Sequence, residues 1–386
     1  MAKVAIISCP DYDNDTVEAA VNRGMVLLGG IEQFARPGEK VLLKPNLLAA
    51  DPPERCVTTH PAVFEAVARA FIAQGACLSY GDSPGFGSLS KAAKKAGLAE
   101  VSERLNIETG NFETGERVAF EAGQQHKSFV IAQAVARSDA VISLPKLKSH
   151  ALTTLTGAIK NQFGCIPGLL KGEYHAKLVD IKHFVTMLAD LTRLVSPRLY
   201  VMDAVMAMEG NGPRNGKPRK IGALLLGSDP VAIDASAARM VGIVPENLEI
   251  IRIAHELGLG VLDKQAITLL GDSLAAVTAA DFELAHSRSA LQLKSRRLRN
   301  AVIERPEIKE PACIRCGICV QVCPVTPKAL EWRQDSDEND RKVTPGYNYA
   351  RCIRCYCCQE LCPEGAIELR TPLLGQAFNY LKPPVL

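Results

Sequence analysis

Short apolar runs recur along the N-terminal part of the chain: Val4 to Ser8, Val41 to Leu43, Cys77 to Tyr80, Ala140 to Leu144, Leu199 to Met202 and Ala223 to Leu226. Each is continuous rather than alternating, the pattern of a strand covered on both faces. Segments of helical period lie between them. One opens at Asp15-Thr16-Val17-Glu18, and a second starts at Pro61 and runs through Phe71 to a stop at Gly75. Leu178 to Leu194 and Pro230 to Val241 are two more. Proline in a first turn and glycine after a last turn are ordinary helix punctuation. The alternation predicts an α/β unit over residues 1–285, a mostly parallel sheet with helices on both faces.

Polar residues gather where the apolar runs end. Lys44 and Asn46 follow the second run, Asp82 the third, Lys146, Lys148 and His150 the fourth, and Asp203, Glu209 and Asn211 the fifth. In open α/β sheets the ligand crevice lies outside the carboxyl ends of the strands, so these residues are expected to share one pocket. The densest stretch, Pro145 to Gly168, adds Lys160, Asn161 and Cys165 and holds no acidic residue. That excess of cations predicts an anionic ligand such as a carboxylate or phosphate. A helix over Thr153–Asn161 would add its N-terminal amides. Lys44, Asn46, Lys160 and Asn161 are expected to bind substrate with Asp203, Glu209 and Asn211. Lys146, Lys148, Asp82 and His150 are the catalytic candidates, with His150 as acid–base because imidazole titrates near neutrality. Asp82, Asp203 and Glu209 form an alternative set for a hard divalent cation. Cys165 ranks lower as nucleophile, since a lone cysteine is usually a small buried residue. The glycine-rich Asn211 to Arg219 segment is a second candidate anion clamp, although it lacks the Walker pattern. No G-x-G-x-x-G follows the first run, so a nicotinamide or flavin fingerprint is absent.

Composition adds little to this part. The net charge of +3 over 386 residues gives no electrostatic case for nucleic acid. No apolar run reaches the ~18 residues of a membrane span, and Met1 leads straight into an apolar strand without a basic leader, so a cytoplasmic protein is expected.

The cysteines change the picture. CIRCGICVQVCP from Cys313 and CIRCYCCQELCP from Cys352 both read C-x2-C-x2-C-x3-C-P, the bacterial spacing for cubane iron–sulfur clusters. Three thiolates at i, i+3 and i+6 reach one cube, and the fourth cysteine ligates the other. The expected sets are Cys313, Cys316, Cys319 and Cys362 for the first 4Fe-4S cluster, and Cys352, Cys355, Cys358 and Cys323 for the second. Cys357 is out of register and is expected to be a packed thiol. Zinc knuckles and disulfides fit the pattern less well. An apolar stretch follows each motif, Ala329 to Trp332 and Ala366 to Leu369, completing an internal repeat. This segment, 307–370, resembles the bacterial two-cluster ferredoxin module, which implies a small α+β domain. The acidic run Asp335 to Asp340 between the halves reads as a solvated hairpin tip. Residues 286–306 form a linker that is basic through Arg288, Lys294, Arg296, Arg297 and Arg299. Residues 371–386 are an apolar tail expected to pack on the body.

The N-terminal motifs are also distinctive together: KPNLL at Lys44, TTHP at Thr58, GDSPG at Gly81, PKLKSH at Pro145, TGAIKNQFGCIPG at Thr156, GNGPRNGKP at Gly210 and GSDPVAIDA at Gly227. From Met1 to about Gly260 the chain resembles domain-of-unknown-function family 362, uncharacterised iron–sulfur-centre proteins that often carry a C-terminal two-cluster module. That family is remotely similar to the N-terminal domain of nickel-dependent lactate racemases. The resemblance implies iron–sulfur electron transfer and leaves the substrate open. The favoured expectation is a redox enzyme whose clusters exchange electrons with a small anionic substrate in the α/β crevice, supplied by an electron-transfer protein partner. The alternatives are a ferredoxin-like carrier or adaptor, and non-redox hydroxy-acid or metal-handling chemistry with structural or sensing clusters.

Overall fold

The computed structural model describes residues 1–168, 170–285, 296–332 and 343–380. The acidic run Asp335 to Asp340 and the linker residues 286–295 lie outside them.

Among the described residues up to 285 there are twelve strands: β1 (Ala2–Ser8), β2 (Lys40–Pro45), β3 (Cys77–Tyr80), β4 (Glu108–Thr109), β5 (Gly115–Ala119), β6 (Ser128–Ala132), β7 (Ala140–Leu144), β8 (Lys146–His150), β9 (Thr154–Thr156), β10 (Leu199–Glu209), β11 (Lys217–Gly227) and β12 (Ile267–Gly271). Ten of them form one sheet in the order β12-β1-β11-β10-β7-β2-β3-β4, with β8 beside β10 and β9 beside β8. Most pairings are parallel; β11 is antiparallel to both β1 and β10. The antiparallel element follows from chain length. Only the loop between Glu209 and Lys217 joins β10 to β11, too short for a parallel crossover of about a dozen residues.

Every apolar run named above is a strand and packs into one continuous core, although Cys77 at the start of β3 is exposed. The flanking helices begin as their caps dictate. Asp13 accepts from Thr16 N at 3.1 Å to start Asn14–Leu27, and the His60 imidazole accepts from Ala62 N at 3.2 Å ahead of Pro61–Ala73. The expected helix over Thr153–Asn161 is instead a β8–β9 hairpin followed by a single helical turn, Ala158–Asn161. The three threonines there suit a strand better than a helix. The amides of Ala158 and Ile159 are taken by the buried Asp234 carboxylate at 2.6 and 3.1 Å, so that helix end is not an anion site.

The cysteine-rich unit is built on β13 (Arg305–Ile308), β14 (Leu330–Glu331), β15 (Gly346–Tyr347) and β16 (Ile367–Arg370), paired β13 with β16 and β14 with β15. The two halves repeat in backbone as well as sequence. Arg315 and Gly317 (φ 57° and 76°) correspond to Arg354 and Tyr356 (φ 64° and 60°). Beyond it, the helix Leu373–Tyr380 rests on Arg296–Val302 and leaves Leu373 and Leu374 exposed, so this part of the tail does not enter the core. No helix among the described residues is long and apolar enough to cross a membrane.

The segment expected to clamp an anion, Asn211 to Arg219, clamps the cysteine-rich unit instead. Arg214 bonds Asp51 Oδ2 at 2.7 Å and the Leu361 carbonyl at 2.9 Å. Asn215 donates to the carbonyls of Gln359 and Cys362, both at 3.2 Å, and Asn211 Oδ1 accepts from Gln359 at 2.7 Å. Most of these contacts are to main-chain carbonyls, which offer acceptors to any passing arginine or asparagine.

Candidate functional site

Two small cavities inside the cysteine-rich unit each gather four thiols. Cys313, Cys316, Cys319 and Cys362 line one, with Ile308, Ile367 and Ala366 around them. Cys323, Cys352, Cys355 and Cys358 line the other, beside Leu330 and Tyr356. In each set the fourth cysteine comes from the opposite motif. All eight are free thiols. Soft sulfur donors in an apolar shell suit iron–sulfur cubes, so these residues fit the group their spacing asks for.

A third cavity, of about 650 Å³, lies between the cysteine-rich unit and the carboxyl ends of the α/β strands. Its α/β wall includes Asn46, Asp82, Lys148, His150, Lys160 and Asn161. Lys171 and His175 of the helix Leu170–Lys177 add to that wall. Val322, Cys323, Pro324, Cys357, Glu360 and Leu361 close it from the other unit. Cys323 therefore lines both this cavity and a four-thiol cavity.

Strand geometry supplies most of the floor. On β8 the alternation of side chains sends Lys146, Lys148 and His150 to one face. Lys148 Nζ is buried and donates to Asn46 Oδ1 at 2.9 Å and the Val57 carbonyl at 2.7 Å. Burial, helped by neighbouring Lys160 and Lys146, pulls its pKa down to about 7. Asp82 accepts from Lys44 Nζ at 2.8 Å and from the amides of Leu47 and Ser83 at 2.7 and 3.0 Å. That carboxylate is a strut, its two oxygens already engaged by three donors. Its packing explains Gly164, where a Cβ would sit 1.8 Å from Asp82 Oδ1. Asn161 bridges Asn46 Nδ2 at 3.1 Å and Ser143 Oγ at 2.9 Å.

His150 is held differently from the acid–base role expected of it. Its Nδ1 accepts from Leu152 N at 2.9 Å, so the ring proton sits on Nε2, 3.1 Å from Glu360 Oε1. Burial lowers its pKa further. With Nδ1 taken by the hairpin amides, only Nε2 is left for proton exchange, and it faces Glu360. Burial would raise the Glu360 carboxyl, but the His150 donor and nearby Lys160 outweigh it and hold it down at about 2.

Lys160 and His175 make ring contacts but, among the described residues, no hydrogen bonds. Among the described residues no hydrogen-bond acceptor meets Lys160 Nζ, which stands 5.0 Å from the Phe163 ring centroid. Burial lowers its pKa. His175, only 7% exposed, stacks on Phe184 at 4.7 Å, and no described residue bonds its ring nitrogens. Burial drives it down to about 4. Lys171 reaches Ser83 O at 2.9 Å, Ser83 Oγ and Ile166 O, and burial takes it to about 7.

Several expected members lie elsewhere. Lys44 is buried behind Asp82. Lys146 and Asp203 are cross-strand partners on β8 and β10 and neutralise each other at 2.7 Å, with Tyr12 Oη on Asp203 at 2.8 Å. Glu209 accepts from Glu283 N at 3.1 Å and faces Arg219, and Asn211 is taken by Gln359. Asp82, Asp203 and Glu209 thus have separate partners, and among the described residues no group that could hold a metal ion includes them. Cys165 is sealed in the core, its thiol pushed up to about 12 by burial, which rules against a nucleophile. Lys171, His175 and Glu360 were not anticipated. Glu360 was hidden between ligand cysteines, and Lys171 and His175 belong to a helix whose polar sequence carries no strong period.

Comparison with known proteins agrees with these parts. Residues 41–239 match the family described as domain of unknown function (DUF362), and residues 312–366 match a 4Fe-4S dicluster domain. A thylakoid-associated protein of Synechocystis sp. is 34% identical over 257 residues, 66% of this chain and 79% of that protein. Among solved structures, the lactate racemase apoprotein of Thermoanaerobacterium thermosaccharolyticum overlaps at a TM-score of 0.42 and 9% identity, covering 63% of this chain and 58% of that one. A Thermotoga maritima protein overlaps at 0.37 and 12%, covering 65% and 60%. The chain thus spans less than two thirds of either structure.

Proposed function

The chain belongs to the DUF362 family and is an iron–sulfur protein of the dicluster type, and from that premise we propose that it is a redox enzyme acting on an organic anion held in the cavity between its two units. One observation carries the reading: Cys323 lines both the cavity and the second cysteine quartet, opposite a wall of lysines. Two 4Fe-4S clusters, when bound, supply one-electron oxidation and reduction. The remaining tasks fall to side chains. Lys160 and Lys171 attract the anion. Lys148 uses two of its three hydrogens on Asn46 and Val57 and keeps one for the cavity, and at about 7 it is a proton source near neutrality. His150 and Glu360 join the wall across the unit boundary. Electrons arrive from a protein partner, and a reducing compartment such as cytoplasm keeps the cysteines available for iron.

The test is stopped-flow reoxidation of the anaerobically reduced holoprotein, followed by visible absorbance against a panel of organic carboxylates and phosphate esters. Saturable reoxidation by one class, lost in Lys160→Met at unchanged iron content, supports an enzyme. Reoxidation by redox proteins alone would favour a carrier or adaptor.

A further inference from the structure

The cavity between the two units has features that narrow its occupant. Its volume of about 650 Å³ far exceeds a hydroxy acid or an inorganic anion. Pockets of about 300–1,000 Å³ take drug- or cofactor-sized molecules. Much of the wall cannot bond a small polar ion at all: Leu48, Phe86, Val322, Pro324 and Leu361 contribute carbon surface from both units. Water against such surface is released favourably by an apolar ligand body.

The polar groups are concentrated and unbalanced. Of the cavity-lining carboxylates, Asp82 is held by Lys44 and Glu173 by Lys177 at 2.9 Å; Glu360, beside His150, offsets part of the Lys160 charge and leaves Lys148 and Lys171 without an acidic partner. Lys148 and Lys171 rest on neutral oxygens only. Lys160 has no hydrogen-bond acceptor among the described residues, and His175, buried and lining the same cavity, presents ring nitrogens without a partner there. A buried ammonium with open donors is costly, and an anion that accepts from it recovers that cost. Lys160 Nζ lies over the rings of Phe163 and Phe184, 5.0 and 6.0 Å from their centroids, and Phe163 also lines the cavity, so the ammonium is set against aromatic surface rather than against a carboxylate.

Resting on the reading of this cavity as the substrate site, we propose that the ligand is an amphipathic organic anion: one carboxylate or phosphate head set on Lys160, with His175 and Lys171 beside it, and a ring-sized apolar body lying against Leu48, Phe86 and Leu361. Neither a short hydroxy acid nor a bare inorganic anion fills this site.

Anaerobic calorimetry on the full holoprotein tests the assignment with four probes: 2-naphthoate, its neutral amide 2-naphthamide, lactate and inorganic phosphate. The expected result is 2-naphthoate binding at least tenfold tighter than each of the others. Lys160→Gln should bring 2-naphthoate down to the level of 2-naphthamide, and Lys160→Arg should restore most of the difference. Phe86→Ser should weaken both aromatic probes together, with iron content and circular dichroism reporting that each variant is folded. Lactate or phosphate binding as tightly as 2-naphthoate overturns the apolar body. Equal binding of acid and amide overturns the anionic head, and no binding by any probe overturns both. Because calorimetry needs no turnover, tight 2-naphthoate binding without any reoxidation by organic anions would sink the redox reading and leave the ligand class standing.

Discussion

Replacing Asp203 with alanine should destabilise the protein severely without emptying the cavity. Asp203 is fully buried and accepts from Lys146 Nζ at 2.7 Å, Tyr12 Oη at 2.8 Å and His60 N at 3.0 Å. Its loss strands a buried ammonium, since Lys146 is 1% exposed and keeps only Tyr12 Oη at 2.8 Å. Removing one partner of a buried pair costs about 3–5 kcal/mol. The orphaned His60 amide adds about 1–3 kcal/mol if no water reaches it. Lys146 can shed its proton to limit the damage, so a total near 4 kcal/mol is expected, toward the lower end of the sum. Removing both charges in Lys146→Met with Asp203→Leu should cost less than Asp203→Ala alone, because no charge is left unpaired. The assay is anaerobic urea unfolding followed by circular dichroism, at matched iron content because bound clusters disturb two-state behaviour. A loss under about 1 kcal/mol in Asp203→Ala, accompanied by loss of 2-naphthoate binding, would refute the structural role and return Asp203 to the substrate site.

Three further outcomes are expected. Lys148 and Lys171 are pulled down to about 7, so they are charged below that pH and neutral above it; anion affinity should fall as pH rises from 6 to 8, by up to about tenfold per unit for each proton taken up on binding, and a flat calorimetric profile would count against them. Cys357→Ser should keep the iron content of the parent and Cys358→Ser should lower it, because Cys357 lines the large cavity and Cys358 the four-thiol one; the reverse pattern would mean that the two sulfurs are exchanged, and equal losses that Cys357 is not a mere packed thiol. Arg214→Leu should leave Asp51 with only the half-exposed Arg55 and free Leu361 O, so limited proteolysis should cut between the units faster than in the parent, and an unchanged digestion rate would show that the clamp is dispensable.

The strands and the cysteine sets were legible because each depends on local pattern: continuous apolar runs for one, fixed spacing for the other. The membership of the pocket was only half legible. Alternation along β8 puts Lys146, Lys148 and His150 on one face, but it does not say that Asp203 on β10 stands opposite Lys146 and cancels it. That depends on which strand β8 lies against, a long-range choice. His150 is a sharper case. Its candidacy rested on imidazole chemistry, and two adjacent backbone amides at Leu152 and Thr153, invisible until the hairpin is folded, fix its tautomer. The hairpin between β10 and β11 was not readable from their apolar runs, because both strands extend past those runs, to Glu209 and from Lys217, before a short loop joins them. Nor was Glu360, since a glutamate between ligand cysteines looks like solvent-facing filler until the two units meet.

The shared wall has a consequence for how such a protein comes to life. Lys148, Lys160 and His175 are translated well before Glu360 and the cysteines flanking it. The late segment has a buried apolar core of only five residues, Cys319, Leu330, Cys362, Ala366 and Ile367, and leans on the α/β unit through its polar clamp. The lysine-lined crevice of a newly made chain is therefore an open trough until the C-terminal unit has been made and docks over it through Arg214, Asn215 and Asn211.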